Sequence, residues 1–169
     1  GLFNRQGFEA ILDEKILEAD ENGTELACLF VDLDRFKIIN DNLGHAAGDA
    51  VLKTFVERLK GLLTPLDSAS RLGGDEFAVL LAGPMTESRA ARICDEICAI
   101  FDLPFDAAGH SVRLSASIGL ALYPTHAKTA SELLQNSDMA MYSRKRAGKN
   151  GAQMFDPAIM NEARERAEI

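Results

Sequence analysis

Apolar residues recur at helical spacing from about Arg5 to Glu21, where Phe8, Ile11, Leu12 and Ile16 form one stripe. Over Glu25–Asp32 the period changes: Leu26, Cys28 and Phe30 alternate with Ala27, Leu29 and Val31, so both faces are apolar. A strand of that kind belongs at the centre of a sheet covered on both sides. Helical spacing returns with Leu52, Phe55, Val56, Leu59 and the pair Leu62/Leu63, and Pro65 ends it. Ser68–Leu72 and Glu76–Ala82 read as two strands joined by a tight turn at Gly73-Gly74-Asp75, where glycine would supply positive φ. The second is again apolar on both faces. Glu87–Phe101 reads as a helix. Val112, Leu114, Ala116, Ile118, Leu120 and Leu122 alternate with smaller or more polar partners, which predicts a strand with one buried face. A further helix is expected over Ser131–Arg146, with Ser131 as N-cap and Gly148 as the stop. Gln153–Phe155 would be a short last strand, and Pro157–Ile169 a polar helix leaving the domain. Helices interleaved with strands and a hairpin predict an α+β fold with a mixed sheet.

A chain of 169 residues suits one domain, and 47% hydrophobic with 26% charged residues excludes a disordered or low-complexity polymer. The longest strictly apolar runs, such as Leu26–Val31 and Phe77–Ala82, are six residues, far below the roughly twenty of a membrane span. No cleavable leader is read at the start. Acids outnumber bases 26 to 18, a net −8, which argues against a general nucleic-acid binder or a contact with anionic membranes. The acidity is terminal. Residues 1–25 hold seven acids and two bases, whereas 26–155 hold 15 and 14. A nearly neutral middle leaves room for a local anion site. Cys28, Cys94 and Cys98 are too few for a disulfide framework and read as core packing in a reducing, cytoplasmic setting. His45, His110 and His126 have no metal-ligand spacing.

Candidate chemistry lies at the strand ends. Asp32 closes the first central strand, and Asp75 and Glu76 open the second. If the two are antiparallel neighbours, three carboxylates converge, an arrangement that is costly unless cations neutralise it. Oxygen-only ligands favour Mg²⁺ or Mn²⁺, with Mg²⁺ sharing its coordination with phosphates. A helix starting at Arg35–Lys37 would aim N–H groups at an anion, and Lys37 would add a full charge. Asn40 and Asp49 read either as a guanine-reading pair or as a turn and a helix cap. Arg144, Lys145, Arg146 and Lys149 either complement a helix dipole or clamp a polyphosphate.

Four stretches together carry a resemblance: Asp32-Leu33-Asp34-Arg35-Phe36-Lys37-Ile38-Ile39-Asn40-Asp41-Asn42-Leu43-Gly44-His45-Ala46-Ala47-Gly48-Asp49, Arg71-Leu72-Gly73-Gly74-Asp75-Glu76-Phe77, Ser117-Ile118-Gly119-Leu120-Ala121 and Ala147-Gly148-Lys149-Asn150. In this order the chain resembles the GGDEF family of diguanylate cyclases over about residues 1–156, its opening Gly1-Leu2-Phe3-Asn4-Arg5 included. The resemblance implies a palm-like α+β domain, with a central mixed, mostly antiparallel sheet of about five strands flanked by helices. It implies condensation of two GTP into cyclic di-GMP by a two-fold homodimer, with two Mg²⁺ (or Mn²⁺) per GTP.

Carried over by position, Asp32 and Glu76 would bind metal by side chain, Leu33 by its carbonyl, and Asp75 would lie at the reacting centre as ligand or proton acceptor. Asn40, His45 and Asp49 match substrate contacts. The amides at Arg35, Phe36 and Lys37 would hold phosphate along with Lys145 and Lys149, beside Gly73 and Gly74 of the signature. Lys37 would also stabilise transition-state charge, and Asp34 would support the site.

In one segment the chain departs from the family. Many members carry an inhibitory product site, Arg-x-x-Asp, which here reads Thr64-Pro65-Leu66-Asp67. Threonine cannot supply the bidentate contacts of arginine, so weak or no product inhibition is expected. Residues 157–169 resemble a linker toward a downstream EAL phosphodiesterase domain in the same parent chain. A catalytically weak GTP-binding module that regulates such a neighbour is therefore the alternative to an active cyclase.

Overall fold

The computed structural model describes residues 4–84 and 86–159. The chain runs α1 (Arg5–Asn22), β1 (Leu26–Asp34), α2 (Phe36–Leu43), α3 (His45–Lys60), β2 (Ser68–Arg71) and β3 (Glu76–Ala82). It continues with α4 (Thr86–Ile100), β4 (Phe105–Ala107), β5 (His110–Val112), β6 (Ser115–Tyr123), α5 (Ala130–Arg146) and β7 (Gly151–Met154). The main sheet has the order β2-β3-β1-β6-β7, antiparallel except for the parallel pair β6–β7. It is the mixed, mostly antiparallel five-stranded sheet expected from the sequence.

Every residue of β1 is buried, as its two apolar faces require. Ala27, Leu29, Val31 and Leu33 pack with Phe55 and Leu59 of α3 and Ile93 and Ile97 of α4. Leu26, Cys28 and Phe30 pack with Phe8, Leu12 and Ile16 of α1 and Leu133, Leu134 and Met141 of α5. The sheet is thus sandwiched between two helical layers, with β1 between β3 and β6. Cys28 and Cys94 are free, buried thiols, pushed up to about 12 by that burial, and act as core residues.

Four details differ from the sequence-based expectation. First, β6 is buried on both faces rather than one. Its small residues are small because α5 lies directly on them: a Cβ on Gly119 would sit 1.9 Å from the Ser137 carbonyl oxygen. Second, β6 begins at Ser115, and Val112 belongs to the separate β4–β5 hairpin. Third, α3 ends at Lys60, leaving Leu62 and Leu63 packed beyond it. Fourth, the N-cap of α5 is Thr129, not Ser131. Its hydroxyl accepts from the Glu132 N–H at 3.1 Å, and the Glu132 carboxylate accepts from the N–H of Lys128, one residue before the cap, at 2.8 Å.

The end of α3 is fastened by Arg58, which donates to the Ile100 and Leu103 carbonyls and lies 4.4 Å over the Phe105 ring. Phe155 and Ile159 are buried against the α1/α5 core. The tail helix expected over Pro157–Ile169 falls beyond residue 159 outside the described residues. Among the described residues no helix is long and apolar enough to cross a membrane.

Candidate active site

The antiparallel register sets Asp32 opposite Glu76, with Asp75 one residue earlier at the hairpin. The Leu33 N–H donates to the Asp75 carbonyl at 3.1 Å, closing the strand ends together. The convergence of the three carboxylates expected from their strand positions is therefore built by the β1–β3 ladder. Their electrostatics show the strain of this crowding. Burial, opposed by a hydrogen bond from Lys145 and reinforced by the charge of Asp75, pushes the Asp32 carboxyl up to about 6. Burial, together with Asp138 and Asp75, also raises Glu76, against the pull of Arg5 and Lys145.

Lys145, in the last turn of α5, places Nζ 2.8 Å from Asp32 Oδ2. The other oxygen, Oδ1, is buried and has no hydrogen-bond partner. An orphaned, buried carboxylate oxygen beside two more carboxyl groups fits a cation ligand. Among the described residues no three acidic, imidazole or thiol side chains converge tightly enough to cage a metal alone. Leu33 stands between Asp32 and Asp34 at the same strand end. Asp34 plays a different part. It is buried and accepts from the Ser115 and Ser117 hydroxyls, each at 2.7 Å, and from the Asn150 N–H at 3.1 Å.

The helix start expected to face an anion begins directly after β1. Arg35 adopts φ 66° and turns the chain into α2, whose N-terminus no side chain caps. Phe36 is buried and anchors this turn, while Lys37 projects into solvent. An uncapped helix start leaves its first amides and the positive end of its dipole available to an anion.

Close approach of α2 and α3 brings the Asn40 side chain against Gly48, the residue before Asp49. A Cβ on Gly48 would meet Asn40 Oδ1 at 1.8 Å. Only glycine permits that contact. Asp49 is exposed at the mouth of a groove of about 480 Å³ with an apolar floor of Leu52, Val56 and Phe77 and a basic rim of Lys53 and Arg71. His45 is exposed at the start of α3.

The basic cluster divides by role. Arg144 donates to the Lys149 carbonyl at 3.1 and 3.0 Å and to the Asn150 carbonyl at 3.1 Å, so it shapes the loop. Lys149 sits on that loop, exposed, at φ 64°. Lys145 alone reaches the carboxylates.

Positive φ is expected at the hairpin glycines, but neither Gly73 nor Gly74 lies in the left-handed region. Neither is needed for packing: a Cβ on Gly73 would meet only Glu76 Oε1 at 4.0 Å, and one on Gly74 would meet nothing. Arg71 holds the turn by donating to the Gly73 and Gly74 carbonyls at 2.9–3.2 Å. Neither the φ angles of the turn nor packing within the domain therefore requires glycine at these positions. Gly74→Ala is expected to leave folding intact or to stabilise it by roughly 0.4–1 kcal/mol. If Gly74 borders bound substrate, as the family resemblance implies, turnover should fall about 10²-fold, the usual loss for a misplacement of about 1 Å. Paired melting curves and rate measurements check this.

Sequence reasoning missed the roles of Arg71, Arg144 and Asp138. Arg71 and Arg144 brace neighbouring turns through their backbone carbonyls, and Asp138 acts on Glu76 from a distant element; composition and spacing encode none of these contacts. In the segment that matches the family's product site, Asp67 is fully engaged within the domain. It accepts from both guanidinium nitrogens of Arg89, from the Thr64 N–H at 2.8 Å and hydroxyl at 3.0 Å, and from the Ala82 N–H at 3.3 Å. Burial opposes ionisation of Asp67, but these donors prevail and hold its carboxyl below the usual range.

Fold and site together define an α+β domain in which the ends of β1 and β3 gather Asp32, Asp75 and Glu76 near the uncapped start of α2. The profile of the family described as "Diguanylate cyclase, GGDEF domain" matches residues 1–151. Diguanylate cyclase TpbB of Pseudomonas aeruginosa is 47% identical over 96% of this chain, which spans 38% of TpbB. The bifunctional diguanylate cyclase/cyclic di-GMP phosphodiesterase MucR of the same organism is 38% identical over 98% of this chain, which spans 24% of MucR. The solved GGDEF domain of TpbB from Pseudomonas aeruginosa superposes with a TM-score of 0.93 at 44% identity, covering 96% of this chain and 95% of that one. The chain belongs to the GGDEF family of diguanylate cyclase domains. It spans well under half the length of these curated relatives.

Proposed function

We propose that the domain condenses two GTP into cyclic di-GMP, releasing two pyrophosphates. The observation that carries this reading is the buried, partnerless Oδ1 of Asp32, a residue that pairs with Glu76 across the ladder and with the Lys145 ammonium through its other oxygen. Each step joins the 3′-oxygen of one GTP to the α-phosphorus of the other. The bond from that phosphorus to the bridging oxygen of the departing pyrophosphate breaks, and the hydroxyl proton leaves to a base. Two such steps close the ring. The chain then has mainly to position reactants and offset charge. Divalent ions held by Asp32, Glu76, the Leu33 carbonyl and Asp75 would supply Lewis acidity to the 3′-hydroxyl and the leaving group.

Asp75, at the reacting centre, takes the hydroxyl proton or completes the ligand set. Asn40 and Asp49 hold the guanine edge at the α2–α3 contact, with His45 beside them. The amides of Arg35, Phe36 and Lys37 cradle the terminal phosphates, and Lys37, Lys145 and Lys149 hold charge around them. Gly73 and Gly74 let the nucleotide approach the backbone. One domain presents one guanine site, so two copies must face each other across a two-fold axis, each giving half of the reacting pair. Mg²⁺ or Mn²⁺, two per GTP, suits the oxygen donors.

A second reading has its own support. The similarity to MucR, named as bifunctional, and to an EAL/GGDEF domain protein from M. capsulatus (TM-score 0.74, 36% identity) fits a parent chain carrying an EAL domain. In that setting the domain would bind GTP and regulate its neighbour. A two-copy tethered domain with GTP and Mg²⁺ separates the two readings. Cyclic di-GMP formation supports the cyclase, whereas tight GTP binding without product supports the regulator.

Product inhibition through residues 64–67 is not expected, because Asp67 is committed to Arg89 and Thr64. Titration with micromolar cyclic di-GMP should give no saturable binding there. Binding that disappears in Asp67→Ala would contradict this.

A further inference from the structure

Lys145 occupies an unusual place for a phosphate-binding lysine. Its ammonium sits on the carboxylate expected to hold a cation, 2.8 Å from Asp32 Oδ2, while Oδ1 of the same carboxylate stays buried and unpaired. Asp32 is nearly enclosed, with a side chain 11% exposed, whereas the lysine side chain is 26% exposed and hangs from a flexible four-carbon stem at the end of α5. One partner is fixed, therefore, and the other is free to leave. Arg144 and Arg146 flank Lys145 on the same turn, and Arg144 is tied to the 149–150 loop, so it does not substitute.

A monovalent ammonium and a divalent cation cannot share one buried carboxylate cheaply. Like charges a few ångströms apart repel strongly in a poorly solvated site, and only an intervening anion relieves them. We infer that Lys145 is the resident counter-ion of the cation site: it keeps Asp32 neutralised in the free domain, competes with a divalent ion for it, and moves off when that ion binds. The inference rests on the cation-site reading above. It adds that the displaced ammonium becomes available to nucleotide phosphate only after the exchange. Lys145 thereby couples the two ligands: the cation alone binds against the lysine, and the anionic nucleotide draws the lysine away. Coupling of this kind is reciprocal, so the cation would favour nucleotide by the same factor.

The test uses Mn²⁺ alone, without nucleotide, followed near neutral pH through the paramagnetic resonance signal of the free ion. Lys145→Met is expected to bind Mn²⁺ ~10-fold more tightly than the native chain, equivalent to about 1.4 kcal/mol. Lys145→Arg keeps a charge beside Asp32 and should bind as the native chain does. Adding Asp32→Asn to Lys145→Met should abolish the gain. Melting curves establish that each variant is folded, and Lys145→Gln stands in should the methionine variant fail. If Lys145→Met binds no tighter while Asp32→Asn alone still weakens Mn²⁺ binding, the exchange is wrong and the cation site stands. If Mn²⁺ binding ignores Asp32→Asn in both backgrounds, the cation site and the inference fall together.

Discussion

Gly119→Ala is expected to destabilise the domain by about 3 kcal/mol, the upper end of the usual overpacking cost. Gly119 lies in β6 beneath α5. A Cβ there would stand 1.9 Å from the Ser137 carbonyl oxygen, 2.2 Å from the Met141 nitrogen and 2.9 Å from the Met141 Cα. These are backbone atoms, so no side chain can rotate out of the way, and α5 must withdraw from the sheet. Withdrawal loosens Leu133, Leu134, Ala140 and Met141 in the core and carries Lys145 away from Asp32. For a domain of this size the melting temperature should drop by roughly 6–12 °C, at 2–4 °C for each kcal/mol. Thermal unfolding followed by circular dichroism reads the shift. An unchanged midpoint would mean that α5 does not sit on β6 as described. Gly74→Ala is the natural control, since the same added methyl group meets nothing there.

Asp32→Asn should separate stability from function. Cyclic di-GMP synthesis is expected to fall on the order of 10³-fold, because the variant removes a charge aimed at the reacting phosphates' cations. Stability should move the other way, with a sign fixed by the raised acidity constant. Burial pushes Asp32 up to about 6, so the folded domain holds that proton more tightly than the unfolded chain does. The stability this provides is present in acid and is lost as pH rises from the ordinary carboxylate value through about 6. An asparagine does not ionise and loses nothing. The variant should therefore melt higher than the native domain near pH 8 in chelator, with the gap closing toward pH 5. Loss of activity with a lower melting temperature at both pH values would instead mark Asp32 as a structural residue.

Much of the fold is legible because its central strands are buried on both faces and say so in sequence. Alternating apolar sets at 26–31 and 77–82 place β1 and β3 at the centre, and their ends then bring Asp32, Asp75 and Glu76 together. What stays hidden is decided by partners distant in sequence. Ser117, Gly119 and Ala121 look like the open side of β6 because small residues resemble exposed ones until a helix is laid on them. The β4–β5 hairpin has strands of three residues, too short to establish a period. Gly73 and Gly74 invite the usual reason for glycine in a turn, but the turn uses none of their extra φ freedom. In the site, residue types and order identify the carboxylates. Only three-dimensional contact separates Arg144, a loop brace, from Lys145, a counter-ion, although both lie in one basic run. Asp67 is the converse case. It stands at a position that suggests product binding, yet Arg89 and Thr64 employ it within the domain.

The hairpin carboxylates are proposed to serve nucleotidyl transfer between two GTP molecules. The decisive measurement incubates the tethered two-copy domain with GTP and Mg²⁺ and quantifies cyclic di-GMP and pyrophosphate by chromatography, native beside Asp75→Ala. Two pyrophosphates are expected for each cyclic di-GMP from the native domain, with no product above background from Asp75→Ala. Product formation that survives Asp75→Ala, or a native tethered domain that binds GTP and yields none, would contradict that role.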